Sequence, residues 1–146
     1  MKQIFVFFVM TLLLSACKKE EEEYSDIPVI TFESITPGVV KQFSDSIVVK
    51  IGYIDGNGDL GENGSAVKNA FVTDSRNDLT YSFRVKQLAP TDADIIIKGS
   101  LLIILPQVAL NNLIGTTETA TFSVYVEDRA GNKSNVVSTS SITITE

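Results

Sequence analysis

Asp55, Asn57 and Asp59 stand at alternate positions in the run Asp-Gly-Asn-Gly-Asp-Leu-Gly-Glu-Asn over residues 55–63. Side-chain oxygens at that spacing suit a hard cation. Calcium takes about six to eight oxygens, and the interleaved Gly56, Gly58 and Gly61 let the backbone curl so that carbonyls can join the carboxylates. The run is not an EF-hand, because Leu60 occupies the position of the invariant glycine and Ala66 that of the bidentate glutamate. The spacing therefore predicts either a calcium site or a plain acidic turn, since Gly-Asn-Gly also makes a hairpin connection.

No other constellation points to catalysis. The chain contains no histidine, which excludes histidine-based triads and histidine zinc sites. A carboxylate pair can hydrolyse a glycoside, but the carboxylates fall on turns and there is no tryptophan to serve as a sugar platform. The glycines of the 55–61 run lead into another strand and carry no Walker lysine, so no phosphate-cradling loop is expected. A net charge of −6, with basic residues scattered singly, argues against a nucleic-acid partner. The expectation is a protein without enzymatic activity.

The elements that must position these residues read as strands. Short runs rich in Val, Ile, Thr, Phe and Tyr alternate at period two between Gly, Asn, Asp and Pro clusters. Seven strands are expected, near 29–36, 45–54, 66–73, 79–88, 94–105, 118–127 and 134–145. In the sixth, a central strand, Phe122, Val124 and Val126 should face inward. Asp128 to Asn132 should join it to the seventh as a hairpin loop. Lys98, Gly99 and Ser100 interrupt the fifth, where a bulge or break is expected. Pro106 and Gly115 bracket a predicted short helical crossover over 107–114. Seven such strands fit an all-β, immunoglobulin-like or fibronectin type III-like sandwich over residues 28–146. That topology gathers the second-to-third and sixth-to-seventh connections at one end, so Asp128 should lie near Asp55 and Asp59 as a further metal ligand. Asp92 and Asp94 should reach the same pole.

The N-terminus carries a different signal. Lys2, the apolar run Ile4 to Leu14 and the sequence Leu14-Ser15-Ala16-Cys17 resemble the lipobox of a bacterial lipoprotein signal peptide. The resemblance implies removal of residues 1–16 and lipidation of Cys17, the only cysteine. The processed chain then carries a net charge of −7, eleven basic against eighteen acidic residues, because Lys2 is lost. Residues 17–27 form an acidic linker, and its run Glu20 to Glu23 is similar to the export signal of surface lipoproteins in Bacteroidota. Lys18 stands where an inner-membrane retention signal would have aspartate. The outer membrane is the implied location, with the acidic run read either as a surface-export signal or as a solvated spacer, so that the exterior and periplasmic faces both stay open.

The lipobox, the acidic tether, the 55–61 loop and the closing segment Val124 to Asn135 together resemble a group of Bacteroidota lipoproteins with an immunoglobulin-like domain. The resemblance brings no assigned activity with it, and two roles stay open. One is a binding or adhesion module for a protein or glycan. The other is a structural spacer or an accessory subunit of an outer-membrane complex. Tyr81, Arg84 and Tyr125 gathered on one face would favour the first, because such residues concentrate at binding hot spots.

Overall fold

The computed structural model describes residues 24–112 and 114–146. The signal peptide over residues 1–16, Cys17 and most of the acidic linker lie outside them. The described residues are all-β, with no helix among them and ten strands: β1 Val29–Thr36, β2 Val39–Lys41, β3 Ile47–Asp55, β4 Ala70–Asp74, β5 Thr80–Phe83, β6 Ile97–Leu105, β7 Thr117–Ala120, β8 Phe122–Val126, β9 Val137–Ser138 and β10 Ile142–Thr145. They form sheets of order β1-β3-β6, β2-β10-β7 and β5-β4-β8-β9. The inward side chains of all three, among them Ile30, Val40, Ile51, Val72, Val124 and Ile144, merge into a single core.

Where alternation predicts seven strands there are ten: the sixth and seventh each divide because the chain changes sheets without changing period, and β2 falls between the first two expected strands, where none was predicted. β7 pairs with β10, whereas β8, one residue later, pairs with β4. Ala120 and Phe122 are both buried on either side of Thr121, so the alternation runs on through the switch. The partner segment switches at the same level, between β9 and β10. Thr139 fastens the crossing: its amide donates to the Phe122 carbonyl at 2.9 Å and its hydroxyl accepts from the Phe122 amide at 3.0 Å.

Two local expectations fail. The fifth segment does not break at Lys98 to Ser100. β6 pairs with β3 without interruption from Ile97 to Leu105, and Gly99 lets the Tyr53 ring lie flat against the strand, where a Cβ would come within 2.8 Å of its hydroxyl. The irregularity sits instead in β1, between Phe32 and Ser34. Nor do the described residues of 107–114 form a helix. Their backbone groups find tertiary partners: the Val108 carbonyl accepts from the Phe43 amide at 3.1 Å, and the Leu110 amide donates to the Gln42 side chain at 3.2 Å. The Asn111 and Asn112 amides donate to the Glu118 carboxylate.

Arg76 ties this connection to the β4–β5 hairpin. Its guanidinium contacts Asp74 at 2.6 Å and Glu118 at 2.7 Å, and donates to the Ala109 carbonyl at 3.0 Å. The Asp74 side chain is 1% exposed and that of Arg76 10%, so this is a buried pair. The Asn111 amide, then that of Asn112 and the Arg76 guanidinium, hold the Glu118 carboxyl below the usual carboxylate range. Removing one partner of such a pair strands a charge out of water, at a cost of about 3 kcal/mol or more. Arg76→Ala is expected to lower unfolding stability in urea by about that amount, while a loss under about 1 kcal/mol would mean that the pair contributes only as a surface ion pair does.

Candidate functional site

The 55–61 loop is built from the core outward. β3 alternates inward Ile47, Val49 and Ile51 and ends on Asp55, which is fully buried. Five residues on, Leu60 returns to the core at 0% exposure and makes a bridge with Asp128. The Leu60 amide donates to Asp55 Oδ2 at 2.8 Å, which aims the carboxylate into its own loop. Asn57 Oδ1 accepts from the Asp59 amide at 3.2 Å, an Asx turn that sets the tip. The left-handed backbone at Gly61, φ 86°, lets the loop lie against the carbonyl of Lys86, which a Cβ would meet at 2.2 Å.

The second loop, residues 128–132, closes over the first. The Arg129 amide donates to the Asp59 carbonyl at 3.2 Å and the Ala130 amide to Asp59 Oδ2 at 3.3 Å. The Arg129 guanidinium donates to the carbonyls of Gly61 at 2.9 Å and Gly58 at 3.4 Å. The third connection also arrives, since the carbonyl of Ile95 faces Gly58. Asp92 and Asp94 on that connection are exposed.

The structure thus brings Asp55, Asp59 and Asp128 together at one pole and separates their roles. Asp128, 7% exposed, directs Oδ1 to the Asn132 amide at 2.7 Å and Oδ2 to the Asn132 side-chain amide at 2.9 Å, which stabilises its own hairpin. Asn57 is committed to its turn. What remains are two carboxylate oxygens, Asp55 Oδ1 and Asp59 Oδ1, both shut off from solvent and both without a hydrogen-bond partner. Among the described residues, no three Asp, Glu, His or Cys side chains converge to hold an ion by themselves.

Burial pushes the Asp55 carboxyl above its ordinary range, and repulsion from Asp59 and Asp128 adds to this against the Leu60 hydrogen bond. Burial also raises Asp59, helped by Asp128 and opposed by the Ala130 amide and the Arg129 charge. Arg129 is the participant that the sequence reading lacks. A lone arginine on a hairpin has no local signature, because its partners lie on a loop some seventy residues earlier.

Tyr81 and Tyr125 do not gather on one face. Tyr81 pairs with Val72 and turns toward the core, whereas Tyr125 pairs with Phe71 on the outer face, so the two lie on opposite sides of one sheet. Tyr125 is covered there, stacked on Phe71 at 4.7 Å between centroids with the Lys133 ammonium 3.5 Å from its ring centre. Arg84 lines a groove of about 470 Å³ between the segment after β5 and the edge strand β6, together with Phe83, Lys86, Leu88, Leu102 and Ile104. Comparison with known protein families, characterised proteins and solved structures finds no match for this chain.

A group whose pKa is higher folded than unfolded binds more protons in the native state, so stability falls as pH rises through the interval between the two values. For Asp55 that interval begins at 3.8 and ends at its raised folded value. In chelator-treated protein, the melting temperature of the wild type relative to Asp55→Asn should therefore decline as pH rises from about 4. A pH-independent difference would show that the Asp55 carboxyl titrates alike in both states.

Proposed function

We propose that the chain is an outer-membrane lipoprotein, tethered through acylated Cys17 and the acidic linker, whose immunoglobulin-like sandwich is a non-catalytic module that binds a protein partner. The groove beside β6 carries this reading. β6 is an edge strand, and its outward Leu102 and Ile104 are 65% and 59% exposed. Cross-strand from Ile104 lies Val48, which continues the apolar surface. Edge strands in natural proteins are usually blunted by charge, proline or a covering element, yet the run from Gly99 to Leu105 has no charged residue.

The opposite wall carries Arg84 and Lys86, which make no ion pair among the described residues. An apolar floor with a cationic wall, on a chain of net charge −6, suits an extended segment that alternates apolar and acidic side chains. Such a segment would add to the open edge of β6 through main-chain hydrogen bonds, with its side chains set in the groove. A glycan is less well served, because Tyr81 and Tyr125 do not form a common platform. A mere spacer requires no open groove.

Two measurements test the proposal. Cys17→Ser should abolish metabolic labelling with palmitate and release the protein from membranes, whereas persistent labelling would contradict the anchor. A photoreactive residue at position 102 in intact cells should give a discrete crosslinked adduct. The adduct should disappear in an Arg84→Glu, Lys86→Glu variant, and no adduct should form from position 136, which is 55% exposed but lies away from the groove. Equal adducts from both positions, or none from 102, would overturn the groove as the binding surface.

A further inference from the structure

We infer that the Asp55–Asp59 pocket is a calcium site of the weak, extracellular kind that clamps the 55–61 loop to the 128–132 hairpin. The inference rests neither on the groove nor on acylation. Charge is the first argument. Asp55, Asp59 and Asp128 lie close enough to repel one another, and the Arg129 guanidinium offsets only part of this at Asp59, which leaves a residue of negative charge. A divalent cation matches that residue.

Geometry is the second argument, and it is independent of the first. Asp55 is 0% exposed and its Oδ2 is held by the Leu60 amide, which leaves Oδ1 inside the loop with nothing to accept from. Asp59 repeats the arrangement, with Oδ2 held by the Ala130 amide and Oδ1 orphaned. Buried carboxylate oxygens are ordinarily satisfied, and an orphan points to an ion or water. Calcium–oxygen contacts of about 2.3–2.6 Å are shorter than hydrogen bonds from water, so a gap closed to a water-sized probe still admits the ion.

The chemistry of the donors sets the strength. Two carboxylates are the protein's charged ligands, Asp128 acts by its field rather than by contact, and the remaining positions fall to carbonyl and side-chain oxygens of the 55–59 turn. Few charged ligands mean a site in the range of about 0.1–1 mM, as in extracellular modules, and little affinity for magnesium, which demands a smaller octahedral cage. Because Asp55 belongs to the end of β3 and Asp59 is bonded to the Ala130 amide of the hairpin, an ion held by both acts as a clamp between the two loops.

The full chain in detergent, stripped with chelator, is the material for the test. Calcium at about 10 mM should raise its melting temperature by about 5–10 °C, with magnesium giving a clearly smaller rise. Asp59→Asn should melt higher than wild type without metal, because it removes one crowded charge, and should lose the calcium response. Asp92→Asn, which removes an exposed carboxylate on the same pole, should keep it. Terbium should bind with emission sensitised by Tyr53, whose hydroxyl senses the Asp55 charge, and calcium should displace it. No calcium shift in the wild type, an equal shift in Asp59→Asn, or a loss in Asp92→Asn as large as in Asp59→Asn would overturn the site, as would terbium emission that calcium does not quench.

Discussion

The core of this domain is sealed at one end by a loop rather than by a strand, and that loop must submerge charge in order to do so. Leu60 enters the core and Asp55 and Asp59, its neighbours in the turn, are drawn below the surface with it. Burying a leucine stabilises by about 1.5–3 kcal/mol. Taking a carboxylate out of water costs several kcal/mol unless it is bonded or paired. Apolar burial alone therefore does not hold the loop down. The Leu60 and Ala130 amides and the Arg129 guanidinium supply part of the difference; the first bond closes the 55–61 loop on itself, and the other two depend on the 128–132 hairpin lying over it. The two loops are consequently one structural unit, and β3 and β8, which carry them, are set in position by it.

The two poles of the strand pattern follow opposite rules. At the acidic pole the buried side-chain oxygens and nitrogens of the described residues are engaged except the two carboxylate oxygens. Along β6 the backbone has a free edge and the side chains have no charge beyond Lys98. The outward row of the same sheet is otherwise well guarded: Glu33 contacts Lys50 at 2.7 Å and accepts from Ser100 at 2.7 Å, a polar rung across β1, β3 and β6. The guard stops at Ser100. From Leu101 onward the outward positions are Leu102 and Ile104, so the unprotected half of the edge coincides with the groove. Exposed edges of this kind invite strand addition, and a fold that spends polar residues on one half of a strand and none on the other separates a closed surface from an open one.

Much of this was legible in the sequence because a half-buried strand writes its burial at period two. Phe122, Val124 and Val126, expected to face inward, are 1%, 0% and 0% exposed. The same alternation is blind to partners. It continues unbroken across Thr121 whether the strand stays in its sheet or leaves it, which is why one expected strand became β7 and β8. It is also blind to burial without a ladder: Asn69 is 5% exposed and serves as a substitute strand, accepting from the Val85 amide at 2.6 Å and donating back to the Val85 carbonyl at 3.3 Å. The segment after β5 therefore lacks strand pairing although its residues have strand character. At the site, the oxygens of Asp55 and Asp59 were visible as a spacing. The depth of Asp55 was not, because a carboxylate at a strand end is ordinarily solvated and only the return of Leu60 to the core draws it under.

The described chain enters the domain beside this pole. The Gly56 amide donates to the Ser25 carbonyl at 2.9 Å, and the carbonyls of Tyr24 and Ser25 press on Gly56 so closely that a Cβ there would meet each at 2.6 Å. The Lys98 ammonium rests 3.7 Å from the Tyr24 ring centre. If Cys17 is the acylated residue, seven residues separate the lipid from this point, a reach of about 25 Å. The acidic pole would then be the end of the domain at which the tether enters. Carboxylates turned toward an anionic lipid surface repel it within roughly 8 Å at physiological ionic strength, and Glu20 to Glu23 would act in the same sense. A cation held between Asp55 and Asp59 weakens that repulsion while fastening the loops. The same ion that rigidifies the end of the sandwich would thereby set how closely the domain stands to its anchor.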